Sequence, residues 1–521
     1  MAQIIICAGI SVVPYIRPVG PFQLANVLRQ QGYSVQVIDQ FPWIAYLGLD
    51  QVLKLFKKFV GPETLWIGFS STWFRRIATM DAGPSDHTPG TVMQDHAMLK
   101  SQTMLFEEPE LRHIRAVVHD INPNVKFVLG GARAQEGRAR GIGYPLIDTY
   151  IEGYADSTVV RFSQWCQDSS LDLKAIENRD GSLTIADDPK AVDFDYNNFK
   201  FTWAPEDLVN PGETLPMEIA RGCIFKCGFC SYPLNGRRKM DYLKDPAILR
   251  EQMIENYERF GTTNYFFLDD TFNDSVEKLQ ILSEQAFSNL SFRPRFGAFM
   301  RLDLIAAHPE TIEMLANIGV SGAFFGIESL NYEANKAIGK GITGPKVVET
   351  LHRLKREWPS DVITDGQFIM GLPNEDRHTI TAWLDELLDP AFPLDAAKIE
   401  PLWLENHSPE ALKNKNWVAP FNLYPERYGY TFPNPDQPVH WVNNRGFSLH
   451  DAVQLKKSYG VKWKIKEKSA WVGDYGTMNI GVPADLVQAR REGRGGSFIG
   501  RSDFNTRIAF VKQYIQRLLD L

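Results

Sequence analysis

The chain has 521 residues, 44% of them hydrophobic and 23% charged, the make-up of a globular protein too long for one compact core, so about two to four domains are expected. A net charge of −7 excludes a global basic field that would recruit nucleic acid or anionic lipid. Five cysteines are too few for a disulfide framework and point to the reducing cytoplasm, and no stretch approaches the roughly 20 apolar residues of a membrane span.

The chain opens on an apolar run, Ile4 to Ile6, with neither a basic leader nor a cleavage site, which reads as a first strand and not as a signal peptide. Further strands are predicted at residues 34–39, 64–70, 125–129 and 150–153, with the first at 3–8. A helix at 21–31 begins on Pro21 and stops before Gly32. Residues 1–166 therefore predict a parallel sheet covered by helices. Gly130 and Gly131 follow the fourth strand and Gly153 ends the fifth. Glycine at the carboxyl end of a parallel strand lets a ligand approach the backbone. Between Trp73 and His113 runs a long loop carrying Arg75, Arg76, His87, His96 and Met80, Met93, Met98 and Met104. Such a loop is either a lid or a plain surface excursion.

Residues 167–214 read as a polar connector with one hairpin signal at Asp180-Gly181. From residue 215 a strand–helix alternation repeats, with strands expected at 216–220, 264–268, 295–300, 322–327, 363–371 and 396–404. The first helix has Asp245 as its cap, Pro246 as its first residue and Gly261 as its stop. Such units make a partial (β/α) barrel, whose ligands collect at the carboxyl ends of the strands. Directly after the first of these strands comes Cys223-Ile224-Phe225-Lys226-Cys227-Gly228-Phe229-Cys230, a C-x3-C-x2-C spacing. Three thiolates on one short loop suit three irons of a [4Fe-4S] cluster and leave the fourth iron without a protein ligand. A zinc site usually closes with four ligands in paired halves. Cys7 and Cys166 are far away in sequence and no histidine lies near the triplet, so zinc in a non-enzymatic binding module is the weaker alternative.

The triplet, with the aromatic Phe229 before its last cysteine, resembles the signature of the radical S-adenosylmethionine (SAM) enzymes. The order R-P-V-G-P-F-Q-L-A, G-F-S-S-T, L-G-G-A and I-E-G resembles the cobalamin-binding domain that precedes many such cores, as in the class B methyltransferases. The implied fold is α/β: a Rossmann-like, flavodoxin-like cobalamin-binding domain at 1–166, the connector at 167–214, a partial (β/α)6 radical SAM barrel at 215–404 and a small α+β substrate-capping domain at 405–521.

The resemblance also implies site residues. Cys223, Cys227 and Cys230 would hold the cluster, whose open iron takes the amino and carboxylate groups of SAM. An electron from the cluster then splits SAM into methionine and a 5'-deoxyadenosyl radical. Phe229, Asp269, Asp270, Arg301, Glu328, Gly366, Gly371 and Trp403 would line SAM. Asp269 or Asp270 would accept its ammonium or merely cap a helix, and Arg301 would meet a carboxylate or an acidic neighbour. Glu328 lies in Phe325-Gly326-Ile327-Glu328-Ser329, which resembles the G-I-E-S of the cobalamin-type enzymes. Gly366 and Gly371 delimit a fifth-strand element whose backbone would pair with adenine, near Trp403 and Leu404. Ser70, Ser71, Gly130, Gly131 and Gly153 would line cobalamin. Residues 9–17 hold no D-x-H-x-x-G, so cobalamin would bind base-off with no histidine below the cobalt.

In that family one SAM methylates cobalamin and a second generates the radical, so a substrate carbon takes a methyl group without a protein base. No residue is assigned a general acid–base role. Cyclisation, rearrangement or oxidation is the alternative outcome with the same cofactors. The implied partners are a small-molecule or peptide substrate and a flavodoxin- or ferredoxin-type electron donor, with no nucleic acid and no membrane. The C-terminal stretch is rich in aromatics, including Trp417, Tyr424, Tyr428, Tyr430, Trp441, Trp463 and Trp471, and reads as a cap on the barrel. Within it, Arg490 to Ser497 would grip an anion or form a solvated loop.

Overall fold

A computed structural model of the protein describes residues 1–9, 17–70, 105–131, 134, 146–186, 194–230, 240–404, 419–434, 440–470 and 501–521. The first sheet contains β1 (Ile4–Cys7), β2 (Val35–Ile38), β3 (Trp66–Ser70), β4 (Lys126–Gly130), β5 (Thr149–Glu152), β6 (Ile176–Glu177) and β7 (Leu183–Ala186). Every residue of β1, β2 and β5 is buried, as parallel strands covered on both faces must be. The spatial order is β2-β1-β3-β4-β5-β7-β6, and the pairs from β2 through to β7 are parallel. Its first five strands follow the flavodoxin-like order, which reverses between β1 and β3 and opens a crevice at the carboxyl ends there.

The stretch expected to be a mere connector adds two strands to this sheet. β6 and β7 pair antiparallel around Asp180-Gly181, where Gly181 takes a positive φ of 80°. The long loop after β3 also ends earlier than its composition suggests. Helix Glu108–Ile121 contains Arg112 and His113, and its start is closed by Glu107 and Glu110 in a capping box. Residues 71–104 of that loop lie outside the described residues.

The second sheet has the order β13-β12-β11-β10-β9-β8 and is parallel throughout, an open six-stranded barrel wall. Its strands are β8 (Leu215–Glu218), β9 (Asn264–Leu268), β10 (Arg295–Met300), β11 (Val320–Glu328), β12 (Ile363–Met370) and β13 (Ala396–Pro401). Helix Pro246–Phe260 starts and stops where the sequence says: Asp245 accepts from the Ala247 N–H, and Gly261 closes the end at φ 66°. Side chains alternate along each strand. Phe296, Ala298, Ala323, Phe325, Phe368, Met370, Ala397 and Ile399 point to the helix layer and join the main core. Phe266, Phe299 and Phe324 point the other way and meet one another across β9, β10 and β11 at centroid distances of 5.4–5.9 Å.

The C-terminal residues divide between the two halves. Trp441 packs against Gly371 and donates from its ring N–H to the Leu402 carbonyl, and Tyr430 donates to the Gly371 carbonyl. These aromatics cap the barrel end. The last helix, Arg501–Asp520, instead buries Val511, Tyr514, Ile515 and Leu518 in the core of the N-terminal sheet. Its polar grip is on the same half: the Asp39 N–H donates to the Tyr514 hydroxyl at 3.1 Å and Arg517 donates to Asn210 at 2.7 Å. Trp417, Trp471 and the Arg490–Ser497 stretch lie outside the described residues. Among the described residues no helix is long and apolar enough to cross a membrane.

Candidate functional site

The cysteine loop leaves the carboxyl end of β8 and is fixed at both ends. The Arg221 N–H donates to the Tyr242 carbonyl, and Cys230 N–H closes a turn onto the Cys227 carbonyl at 3.1 Å. At its centre, a side chain on Gly228 would run into Phe421, whose N–H donates to the Gly228 carbonyl at 2.9 Å. Glycine is required there because the C-terminal cap touches the loop backbone.

The sulfurs have partners suited to thiolates. Cys223 Sγ lies 3.3 Å from the Thr271 hydroxyl and accepts from the Phe225 N–H at 3.5 Å. Cys227 Sγ accepts from Arg301 Nη1 at 3.6 Å, and the same guanidinium lies 3.9 Å above the Phe225 ring. Burial pushes the Cys223 thiol up to about 11. Only a metal in exchange for the proton makes that buried sulfur a thiolate at neutral pH. Among the described residues no three His, Cys, Asp or Glu side chains are close enough to hold one metal ion. Three cysteines on one loop, without a fourth ligand beside them in sequence, are a donor set that fits an iron–sulfur cluster.

Around the loop, buried charge is paired. Lys278 is wholly buried, lies 2.8 Å from Asp269 and 3.4 Å from Asp274, and donates to the Thr271 carbonyl at 3.0 Å. Tyr242 donates to Asp274 at 2.6 Å. Burial pushes the Asp270 carboxyl up to about 7, with the charge on Asp269 adding to it. Arg301 forks onto Asp303 at 2.6 and 3.0 Å. Glu328 ends β11 at φ +68°, a left-handed conformation that costs a non-glycine residue of order 1–3 kcal/mol. Its carboxylate is held by Lys340 Nζ at 2.7 Å, and the same ammonium donates to the Gly326 carbonyl.

Asp269, Asp270, Arg301, Glu328, Gly371 and Trp403 thus stand at the carboxyl ends of the barrel strands, whereas Gly366 lies within β12; three of them have charge partners, and for Arg301 it is the acidic neighbour the sequence allowed. Asp269 is paired with Lys278, Glu328 with Lys340 and Arg301 with Asp303. The glycines have local reasons. A side chain on Gly366 would strike Leu394 and Phe368, and one on Gly371 would reach within 2.1 Å of Trp441. The Gly371 N–H is given to Glu375 at 3.1 Å. Trp403 is 43% exposed beyond the end of β13, whereas Leu404 is buried in the core. Phe229 is half-buried against the same core.

In the N-terminal half, Ser70, Gly130 and Gly131, and Gly153 sit at the carboxyl ends of β3, β4 and β5, side by side in the sheet. Gly131 and Gly153 have φ of 99° and 91°, and a side chain on Gly130 would meet only the Ile151 carbonyl, at 3.7 Å. This ledge carries almost no side chains and suits a flat macrocycle laid on backbone. Ser71 lies outside the described residues.

Arg221 joins the two regions. Two positions before Cys223, it donates to Asp156 at 2.6 Å and to Glu218 at 2.7 Å, and lies over the rings of Tyr154 and Tyr196 at 5.0 and 4.4 Å. Tyr154 directly follows Gly153. The glycine ledge and the cysteine loop therefore meet across one buried arginine.

The sequence model of the Radical SAM superfamily matches residues 217–387. An uncharacterized methyltransferase of Pyrococcus horikoshii is 27% identical over 168 residues, 31% of this chain and 34% of that protein. The anaerobic magnesium-protoporphyrin IX monomethyl ester cyclase of Cereibacter sphaeroides is 22% identical over 279 residues, 51% of this chain and 44% of that protein. The alignments thus span less than half the length of either relative. Among solved structures, the radical SAM methyltransferase TsrM of Kitasatospora setae, with cobalamin and a [4Fe-4S] cluster bound, shares the fold. It superposes with a TM-score of 0.56 at 15% identity, covering 100% of both chains.

Proposed function

This chain is a radical SAM protein on the fold of a cobalamin-dependent enzyme, and from that premise we propose that it transfers a methyl group to an unactivated carbon of a small molecule or peptide. The observation that carries the reading is Arg221, which links the cysteine loop to the segment following the glycine ledge. The bound groups would supply an electron to SAM from the cluster and a methyl carrier in cobalamin.

The chain's own residues orient and shield. Cys223, Cys227 and Cys230 would hold the cluster, with Arg301 on the Cys227 sulfur and the Thr271 hydroxyl beside the Cys223 sulfur. Such donors stabilise charge on sulfur and tune the potential. Asp270, Glu328, the strand end at Gly371 and Trp403 would line SAM, with Phe229 beside the loop, while Gly366 faces the helix layer. An ammonium reaching Glu328 competes with Lys340 for its carboxylate. Phe421, Tyr430 and Trp441 close the barrel end against water. Ser70, Ser71, Gly130, Gly131 and Gly153 would cradle cobalamin, base-off since residues 9–17 supply no histidine. Electrons come from a flavodoxin or ferredoxin in a reducing cytoplasm.

The test is anaerobic incubation of the reconstituted protein with methyl-labelled SAM, cobalamin, reductant and pooled cell metabolites. Label in a product heavier by one CH2, together with 5'-deoxyadenosine, is expected. Deoxyadenosine without label in any product would overturn methyl transfer. The similarity to a cyclase over half of this chain favours one second reading, ring closure or oxidation with the same cofactors. A product without the added CH2 would mark it.

A further inference from the structure

Asp365, on the inner face of the barrel, is a buried acid with no ion pair among the described residues. β12 exposes its odd positions to the lumen: Ile363, Gln367 and Ile369 are half-buried, while Thr364, Gly366, Phe368 and Met370 are fully covered by the helix layer. Asp365 shares the inward parity and is only 4% exposed. In register it lies beside Phe324, which lies beside Phe299, so this layer of the lumen is apolar on one side and acidic on the other. One layer nearer the mouth, Gly326, Gln367 and Lys398 follow in register, and Lys398 is exposed. Exposure on this inner face therefore rises from the layer of Phe299, Phe324 and Asp365 to that of Gln367 and Lys398.

Asp365 accepts one hydrogen bond, from Gln367 Nε2 at 2.9 Å, and among the described residues no cation is within ion-pair reach of it. Its neighbours differ. Asp269 and Asp274 share Lys278, Glu328 has Lys340, and Glu375 accepts from Ser329, Gly371, Leu372 and Trp383. Burial accordingly pushes the Asp365 carboxyl up to about 7, against a pull from Lys398. A buried acid with one hydrogen bond on the inner face of a barrel costs stability, and such a cost is retained where a ligand supplies the missing partner.

We propose that Asp365 and Gln367 read the substrate, and that the molecule they select is a small amine with a flat apolar part: the ring lies along Phe299 and Phe324 and the ammonium meets Asp365. The inference rests on the barrel reading given above and narrows its substrate class.

The test uses the full-length, cluster-reconstituted protein with 2-phenylethylamine and phenylacetate as matched probes, followed by ligand-observed NMR titration. Asp365→Asn and Asp365→Leu are compared with the wild type, with cluster absorbance and thermal midpoint as controls. The wild type is expected to bind the amine and discriminate against the acid. Both variants are expected to lose about 10- to 100-fold in amine affinity, the size of one hydrogen bond to a charged group. Asp365→Leu is expected to raise the thermal midpoint, because it replaces an uncompensated buried acid by an apolar group of similar size.

A structural aspartate behaves in the opposite way, so a lowered midpoint in Asp365→Leu overturns the proposal. So do equal binding of the acid, unchanged amine affinity in both variants, or no amine binding by the wild type. SAM binding by the same wild-type sample reads out the barrel assignment separately. Its failure overturns that assignment, while the probe series still decides the role of Asp365.

Discussion

The two ligand-facing edges of this molecule are built from opposite materials. The barrel mouth is crowded with buried charge, much of it paired: Lys278 between Asp269 and Asp274, Lys340 on Glu328, Arg301 on Asp303. The carboxyl edge of the N-terminal sheet offers Ser70 and three glycines, with little beyond backbone. The first is suited to hold a small ionic ligand by charge, the second to receive a large flat one by shape. The difference follows from what each must do: a charge site needs prepositioned dipoles in a dry setting, and a macrocycle ledge needs side chains to be absent.

Replacing Cys223, Cys227 and Cys230 together by alanine breaks the comparison most severely. Iron content and the brown absorbance of the reconstituted protein should vanish, while cobalamin binding at the glycine ledge should persist. Parallel loss of both would mean that the ledge depends on the loop. Next in size is Lys278→Met, which strands two buried carboxylates and should cost about 3–5 kcal/mol in denaturant unfolding. A cost below about 1 kcal/mol would show the cluster of charges to be solvated.

Gly371→Ala should cost about 2 kcal/mol or more, since φ is 93° and the new methyl meets Trp441 at 2.1 Å. The acid on the inner face of the barrel adds a pH dependence. A carboxyl whose pKa is raised from 3.8 to about 7 on folding binds its proton more tightly in the native state, so stability should fall as pH rises from about 4 to 7. Asp365→Asn should flatten that slope, at about 1.4 kcal/mol per pKa unit. An unchanged slope would place the carboxyl in water. Smallest in stability is Gly130→Ala, whose methyl meets only a carbonyl at 3.7 Å. It should shift unfolding by less than about 1 kcal/mol and yet weaken cobalamin retention on a desalting column. Undiminished retention would remove Gly130 from the ledge.

Much of this was legible in the chain itself. The C-x3-C-x2-C spacing, the glycines after β4 and β5, and the Asp245-Pro246 start and Gly261 stop of one helix are local features, fixed by covalent spacing and backbone conformation. Period-2 and period-3.6 patterns placed six barrel strands and the first five strands of the other sheet within a few residues, because parallel strands must be apolar on both faces.

What only the folded chain decided were the meetings of residues distant in sequence. The short β6 and β7 carry too little periodicity to announce a place in the first sheet, and the last helix returns across the whole sequence to bury Tyr514 there. The partners of Asp269, Glu328 and Arg221 come from other loops, since a charge taken out of water finds its counter-ion in space and not in sequence. Sequence spacing fixed which atoms could hold a cluster, while tertiary packing decided which carboxylates were paired and left Asp365 with a single hydrogen bond, from Gln367.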